Sequence, residues 1–489
     1  MSILFRPDIN SKLLPNKPDI PNEELSNFKK RISFLTLGCR LNQSETDILI
    51  RISKLKGYKV VHSSEPSDFC IINTCTVTGH ADSKNRQAIR NIHRLNPNAD
   101  IVVIGCYAQL AHEEISKLKG VKFIIGNEQK MDVLNYIENI DLKNKPLTII
   151  QKFNKKSFLY PVLEKTTNSH LKLKKKLIQN NSVENKHTKN NSKKSNRTRS
   201  LLKIQDGCDF MCSFCVIPFA RGRSRYREFS SIRKEALMLV KEGVREIVIT
   251  GVNIGTYKIG NFNFVNVVDS LNSIEGLDRI RISSIEPTTV PKILLEYMKD
   301  SQHKLVPFLH LPLQSGSNKI LKKMNRRYSS EEFSDEIWNA FESVSDLCIG
   351  TDVMVGFPEE NKIEFEKTLF FLEKLPLTYF HVFPFSERKR TAAYKIKDKV
   401  HSNVKQRRSK ILRDLSSKKR IAFYKGFLGK TRNVLFESKR KNLRFKGYTD
   451  NFIKVELDEK NKSDFRNKII PVKLCSIKGD TLLGKLISK

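Results

Sequence analysis

Residues 203–225 read KIQDGCDFMCSFCVIPFARGRSR and set Cys208, Cys212 and Cys215 apart by three and then two residues. They fall in the loop after an apolar run, the first of a series of strand-like segments. Thiolates this close in sequence can converge on one iron–sulfur cube, whose usual ligands are Cys thiolates. Three protein ligands leave one iron open to a substrate, as catalytic metal sites keep a free position. Zinc is the competing reading. Structural zinc normally takes four ligands, and the next His after Cys215 is His303.

Working outward, six apolar runs follow one another: LLKIQDG, EIVITGV, RIRISSI, FLHLPLQ, GTDVMVGF and YFHVFPF. Helical stretches such as SIRKEALMLVKEG separate them. Six strand–helix repeats predict a full or incomplete barrel of the TIM type, with its site at the carboxyl ends of the strands. Residues 201–425 are taken as this α/β domain.

Upstream, residues 31–140 alternate in the same way: ISFLTLG, DFCIINT, ADIVVIG and VKFIIG with helical stretches between. That pattern predicts βαβ units and a parallel sheet. Cys39, Cys75 and Cys106 each lie directly after one of these apolar runs. The carboxyl ends of parallel strands share one edge, so residues far apart in sequence can meet there. Cys70, Cys348 and Cys475 fall inside strand-like runs and are expected as buried small hydrophobes.

Residues 1–30 read as an irregular extension broken by Pro7, Pro15, Pro18 and Pro21. Residues 141–200 read as a basic low-complexity linker, with 14 Lys and Arg against two Glu over 151–200. Residues 426–489 turn to short strands. In FIKVEL, apolar Ile453, Val455 and Leu457 alternate with Lys454 and Glu456, as in a small β-barrel.

The formal net charge of the 489 residues is +37. An excess of this size points to a polyanion partner, because phosphate contacts release counterions and dominate affinity. Over 426–489 there are 16 basic and seven acidic residues. Phe445, Tyr448 and Phe452 there serve either as barrel core or as platforms for RNA bases. Arg221, Arg223 and Arg225 either meet phosphates or pair with acidic neighbours. No apolar run reaches the roughly 20 residues of a membrane span, and no secretory h-region is present, so the expected location is the cytoplasm. An odd count of nine cysteines argues against a disulfide scaffold.

The strings TLGCRLNQSE, NTCTVTGHAD, IVVIGCYAQ, RISSIEP, HLPLQSGS, MNRRY, DVMVGFP and HVFPFSER join the cysteine loop in a wider resemblance. Over about residues 31–489 the chain resembles the radical S-adenosylmethionine methylthiotransferases, most of all the branch acting on N6-threonylcarbamoyladenosine at position 37 of tRNA. The branches acting on isopentenyladenosine or on a ribosomal protein, and a zinc-containing RNA-binding protein without catalysis, are the alternatives. The resemblance implies a methylthiotransferase domain, a radical domain with a partial six-stranded barrel, and a C-terminal TRAM domain. It implies two 4Fe-4S clusters, one on Cys208, Cys212 and Cys215 and one on Cys39, Cys75 and Cys106.

S-adenosylmethionine would bind the open iron of the first cluster and yield a radical that abstracts hydrogen from adenine C2. The second cluster would carry the sulfur, and a second S-adenosylmethionine the methyl group. Gly251, Asn253, Glu286, Gln314 and Asp352, at or near strand ends, are the expected cofactor contacts, with Glu286 holding the amine. The implied partners are a tRNA anticodon stem-loop, an electron donor of the reductase or flavodoxin type, and an unidentified sulfur donor, with no membrane.

Overall fold

The computed structural model describes residues 30–139, 146–153, 198–439, 444–457 and 463–487. The N-terminal extension up to residue 29 and most of the basic stretch 141–200 lie outside the described residues.

The first unit is one parallel sheet of β1 (Arg31–Thr36), β2 (Lys59–Val61), β3 (Phe69–Thr74), β4 (Asp100–Gly105), β5 (Val121–Ile125) and β6 (Leu147–Ile149), in the order β2-β1-β3-β4-β5-β6. β3 and most of β4 are buried on both faces, which is why they read as unbroken apolar runs. Ile71, Val102 and Ile104 pack on one face, and Cys70, Ile72, Ile101 and Val103 on the other. The two short strands carried no sequence signal. Leu147–Ile149 extends this sheet into the stretch read as linker.

The second unit consists of β7 (Arg199–Lys203), β8 (Glu246–Thr250), β9 (Arg279–Ile282), β10 (Phe308–His310), β11 (Cys348–Val355) and β12 (Tyr379–Pro384). They form two parallel three-stranded sheets, β9-β8-β7 and β10-β11-β12, joined by a parallel bridge between Ile280 and Leu305. All six expected runs are therefore strands of one partial barrel. Helices cover its outer face over a core that includes Leu202, Ile247, Ile280, Leu309, Val353 and Phe380.

The third unit is a closed barrel of β13 (Thr431–Lys439), β14 (Phe445–Thr449), β15 (Lys454–Leu457), β16 (Ile469–Lys478) and β17 (Thr481–Leu486). Arg279 anchors it to the second unit, donating to the Tyr448 carbonyl at 3.0 Å and the Asn433 carbonyl at 2.7 Å. The aromatic candidates for base stacking are used otherwise. Phe445 is fully buried in the barrel core. Tyr448 and Phe452 stack on each other at 4.9 Å, with the Arg199 guanidinium 4.6 Å from the Tyr448 ring and Arg281 5.0 Å from Phe452. Their flat faces are occupied at the junction between units.

Cys70 and Cys348 are buried, but Cys475 is exposed. It sits at a register shift in β16, between Leu474 and Ser476, where the strand alternation slips by one residue. Among the described residues no helix is long and apolar enough to cross a membrane.

Candidate functional site: two cysteine triads joined by buried charge

The dispersed triad is assembled by strand register. Thr36 pairs with Asn73, and Thr74 with Gly105, so the three strands end together. Cys75 and Cys106 begin just beyond that edge, and Cys39 caps the start of helix α1 (Arg40–Leu55). Cys75 and Cys106 are 5% and 2% exposed. Gly38 has a φ of +101°, and a Cβ there would lie 2.2 Å from the Cys75 Cβ, so only glycine lets this turn close over the thiol. Asn42 accepts from the Cys39 thiol at 3.8 Å, and Asn127 donates to the Cys106 sulfur at 3.5 Å. Burial pushes the Cys39 and Cys75 thiols up, and the Arg221 guanidinium opposes the shift.

Arg221 comes from the segment following the other triad, at the end of helix α2 (Ile217–Arg221). It is 1% exposed and donates to Glu45 Oε1 at 2.9 Å, Asp206 Oδ1 at 3.0 Å and Asn42 Oδ1 at 2.6 Å. Lys130 and Lys203 also reach Glu45, at 2.6 and 2.7 Å, and Lys203 reaches Asp206 at 2.7 Å. Burial alone would raise the Glu45 carboxyl, but Arg221, Lys130 and Lys203 outweigh it and hold it well below the usual carboxylate range. This network seals the first unit to the second. Arg225 is likewise buried, paired with Glu128. Only Arg223 stays open to solvent, 3.8 Å from Asp209. Of the three arginines offered for phosphates, two are thus committed to internal acids.

The loop triad is less enclosed: Cys208, Cys212 and Cys215 are all partly exposed. Burial raises the Cys208 thiol to about 11 and Cys215 to about 12. The Phe210 backbone N–H donates to the Cys208 sulfur at 3.3 Å. Arg326 donates to the Cys212 sulfur at 3.2 Å and also grips Glu286 and Tyr328. Both Arg326 and Tyr328 come from the MNRRY string, but a lone Arg far along the chain gave no sequence signal of meeting the cysteine loop.

Among the expected cofactor contacts, Gly251 and Asn253 cluster around Gln205, whose Oε1 accepts from the Asn253 backbone N–H at 2.9 Å. Glu286 faces the loop triad through Arg326; burial raises its carboxyl, against the pull of that guanidinium. Gln314 has a φ of +76° and its backbone pairs with β11, donating to the Asp352 carbonyl at 2.8 Å. Asp352 is thus joined to Gln314 through its backbone. It lies within β11, beside His310 and His381.

Sulfurs on one zinc, each about 2.3 Å from it, stand about 3.8 Å apart. Among the described residues only His310, Asp352 and His381 bring three ligand atoms of His, Cys, Asp or Glu within 4.8 Å of one another. Neither set of sulfurs is that tight. Each triad offers three thiols with a guanidinium nearby, and Cys thiolates are the usual ligands of an iron–sulfur cluster.

Residues 31–126 match the family described as uncharacterized protein family UPF0004, and residues 202–372 match the radical SAM superfamily. The chain is 36% identical over 428 residues to the threonylcarbamoyladenosine tRNA methylthiotransferase MtaB of Aquifex aeolicus, covering 87% of this chain and 96% of that one. It is 34% identical to MtaB of Bacillus subtilis over 91% and 93% of the two chains. It is 31% identical to the tRNA-2-methylthio-N(6)-dimethylallyladenosine synthase of Thermodesulfovibrio yellowstonii over 93% and 98%. Among solved structures, the radical S-adenosylmethionine methyltransferase TsrM of Kitasatospora setae shares the fold, with a TM-score of 0.50 at 13% identity over 74% of this chain and 77% of that one. Near-complete alignment with these enzymes, on a fold that brings both cysteine triads to strand ends, establishes that this chain belongs to the radical S-adenosylmethionine tRNA methylthiotransferases.

Proposed function

We propose that this enzyme places a methylthio group on adenine C2 of N6-threonylcarbamoyladenosine at position 37, in the anticodon loop of tRNA. The observation that carries the reading is the pair of triads: six cysteines in two separate sets, linked by Arg221. A radical generator alone needs one set. A second set, with Cys75 and Cys106 buried, suits an enzyme that must also supply sulfur. The names of the two MtaB relatives favour threonylcarbamoyladenosine over dimethylallyladenosine.

In this reading Cys208, Cys212 and Cys215 hold one 4Fe-4S cluster, and Cys39, Cys75 and Cys106 a second. Bound there, the clusters would supply the reducing electron and the sulfur, and S-adenosylmethionine the radical and the methyl group. Arg326 fixes the Cys212 thiolate and the Glu286 carboxylate in one hydrogen-bonded unit. Glu286, thus positioned, is the acceptor for the cofactor's amine. Gly251 and Asn253, held by Gln205, shape the adjacent wall, and Gln314 turns the chain at the neighbouring strand end. The enclosure of Cys75 and Cys106 keeps water from the sulfur-bearing site.

The RNA surface is basic. Arg407, Lys410, Arg413, Lys418 and Lys425 are exposed along helix α3 (Ser402–Lys425). They lead towards the terminal barrel, and they give phosphates a continuous path. An anticodon loop already exposes its bases, which lowers the cost of drawing the target adenine into the site.

Mass spectrometry of tRNA nucleosides from a strain lacking this chain tests the substrate. Loss of 2-methylthio-threonylcarbamoyladenosine, restored by the wild-type chain, is expected. Loss of the dimethylallyl derivative instead would assign the chain to the other branch.

A further inference from the structure

The inner face of β10, β11 and β12 carries a constellation that neither triad uses. Leu309, Val353, Phe380 and Val382 point into the core beneath the helices. Alternation then turns His310, Asp352 and His381 to the opposite face. Asp352 and His381 are direct partners across the β11–β12 ladder, and His310 pairs with Gly350, two residues before Asp352 on the same face.

The donors converge on one carboxylate oxygen. Asp352 Oδ1 lies 3.2 Å from His310 Nε2 and 3.1 Å from His381 Nδ1. Two donors on one ion, each about 2.0–2.1 Å from it, stand about 2.9–3.4 Å apart. These separations match adjacent ligands of a single centre. The backbone makes room for them: a Cβ on Gly350 would lie 2.5 Å from the Tyr379 ring and 2.7 Å from His310 Nδ1. Tyr379 in turn sets its hydroxyl 3.3 Å from His310 Nδ1, the outer contact that fixes a ligating imidazole. His310 is 4% exposed, and its Nε2, beside the carboxylate, makes no hydrogen bond. With Nδ1 against the tyrosine hydroxyl, Nε2 is left beside the carboxylate oxygen, and a cation held by both would satisfy the pair.

We propose that His310, Asp352 and His381 form a binding site for one divalent transition-metal ion, distinct from both cysteine triads. Two imidazoles and a carboxylate suit ions of the iron, cobalt, nickel and zinc group, and three protein ligands leave coordination positions open on the inner face of the barrel. Asp352 is then an ion ligand rather than a cofactor contact.

The test is a cobalt(II) titration of the untagged, iron-loaded enzyme under anaerobic conditions. With the iron centres in their oxidised, EPR-silent state, bound high-spin cobalt is followed by EPR. One cobalt per chain is expected, with binding at least about ten-fold weaker in His310→Ala and in Asp352→Asn, and with the iron content of each variant unchanged. His381→Phe, which keeps a flat ring but offers no ligand atom, gives a third variant. No stoichiometric uptake by the wild type overturns the site and leaves a proton in that gap. Uptake that all three variants retain at full affinity overturns it as well.

Discussion

The two cysteine triads solve one ligand problem by opposite routes. Cys208, Cys212 and Cys215 are neighbours in sequence, and a single loop brings them together. Cys39, Cys75 and Cys106 become neighbours only because β1, β3 and β4 are adjacent, parallel and in register. The first set stays partly open, as a site that must admit a cofactor requires. In the second, Cys75 and Cys106 are buried and Cys39 is partly exposed, with Gly38, Asn42, Asn127 and a charge network shared by two units around them. Burial therefore bears on them differently. The loop triad has one guanidinium, Arg326, already shared with Glu286. The sheet-edge triad has Arg221 within a network where Arg221, Lys130 and Lys203 face Glu45 and Asp206, an excess of cations.

The largest effect should come from removing one triad at a time. Cys212→Ala is expected to abolish cofactor cleavage, and Cys75→Ala to spare cleavage while abolishing the methylthio product. Each variant should retain about four of about eight irons. Iron analysis, 5′-deoxyadenosine release and nucleoside mass spectrometry read the three quantities. Equal loss of cleavage in both variants would break the division of labour.

The network next to the sheet-edge triad is the second point of attack. Glu45→Gln leaves three cations with one acid fewer in a buried seam, which should destabilise the chain by about 3–5 kcal/mol in denaturant unfolding. Because the Glu45 carboxyl is held below its usual value, its contribution is present in full above about pH 4.3. It is lost as the pH falls through the folded-state value. Wild-type stability should therefore drop in acid more steeply than that of Glu45→Gln.

A smaller effect separates charge from geometry at the loop triad. Arg326→Lys keeps the cation but loses the fork that spans Cys212, Glu286 and Tyr328. Cofactor cleavage should slow by about ten-fold with the iron content intact. The smallest is Arg223→Ala, which removes the one exposed arginine of the cysteine loop. Affinity for tRNA should weaken modestly, with the salt-dependence slope shallower by about one.

Where neighbouring residues make the site, the sequence was sufficient. The spacing of Cys208, Cys212 and Cys215, the six strand runs of the barrel, and the position of Cys39, Cys75 and Cys106 after apolar runs were all legible, because strand periodicity and short loops are local properties. Tertiary packing decided the rest. It turned Arg221 and Arg225 inward to acids that lie far away in sequence. It took Tyr448 and Phe452 from RNA to a junction between units, exposed Cys475 at a strand irregularity, and brought Arg326 to Cys212. It also set Asp352 beside two histidines from neighbouring strands. A charged or aromatic side chain has the same local pattern whether it meets solvent, a partner or the interior. Only the packed elements determine which groups surround it, and with them the electrostatics of the site.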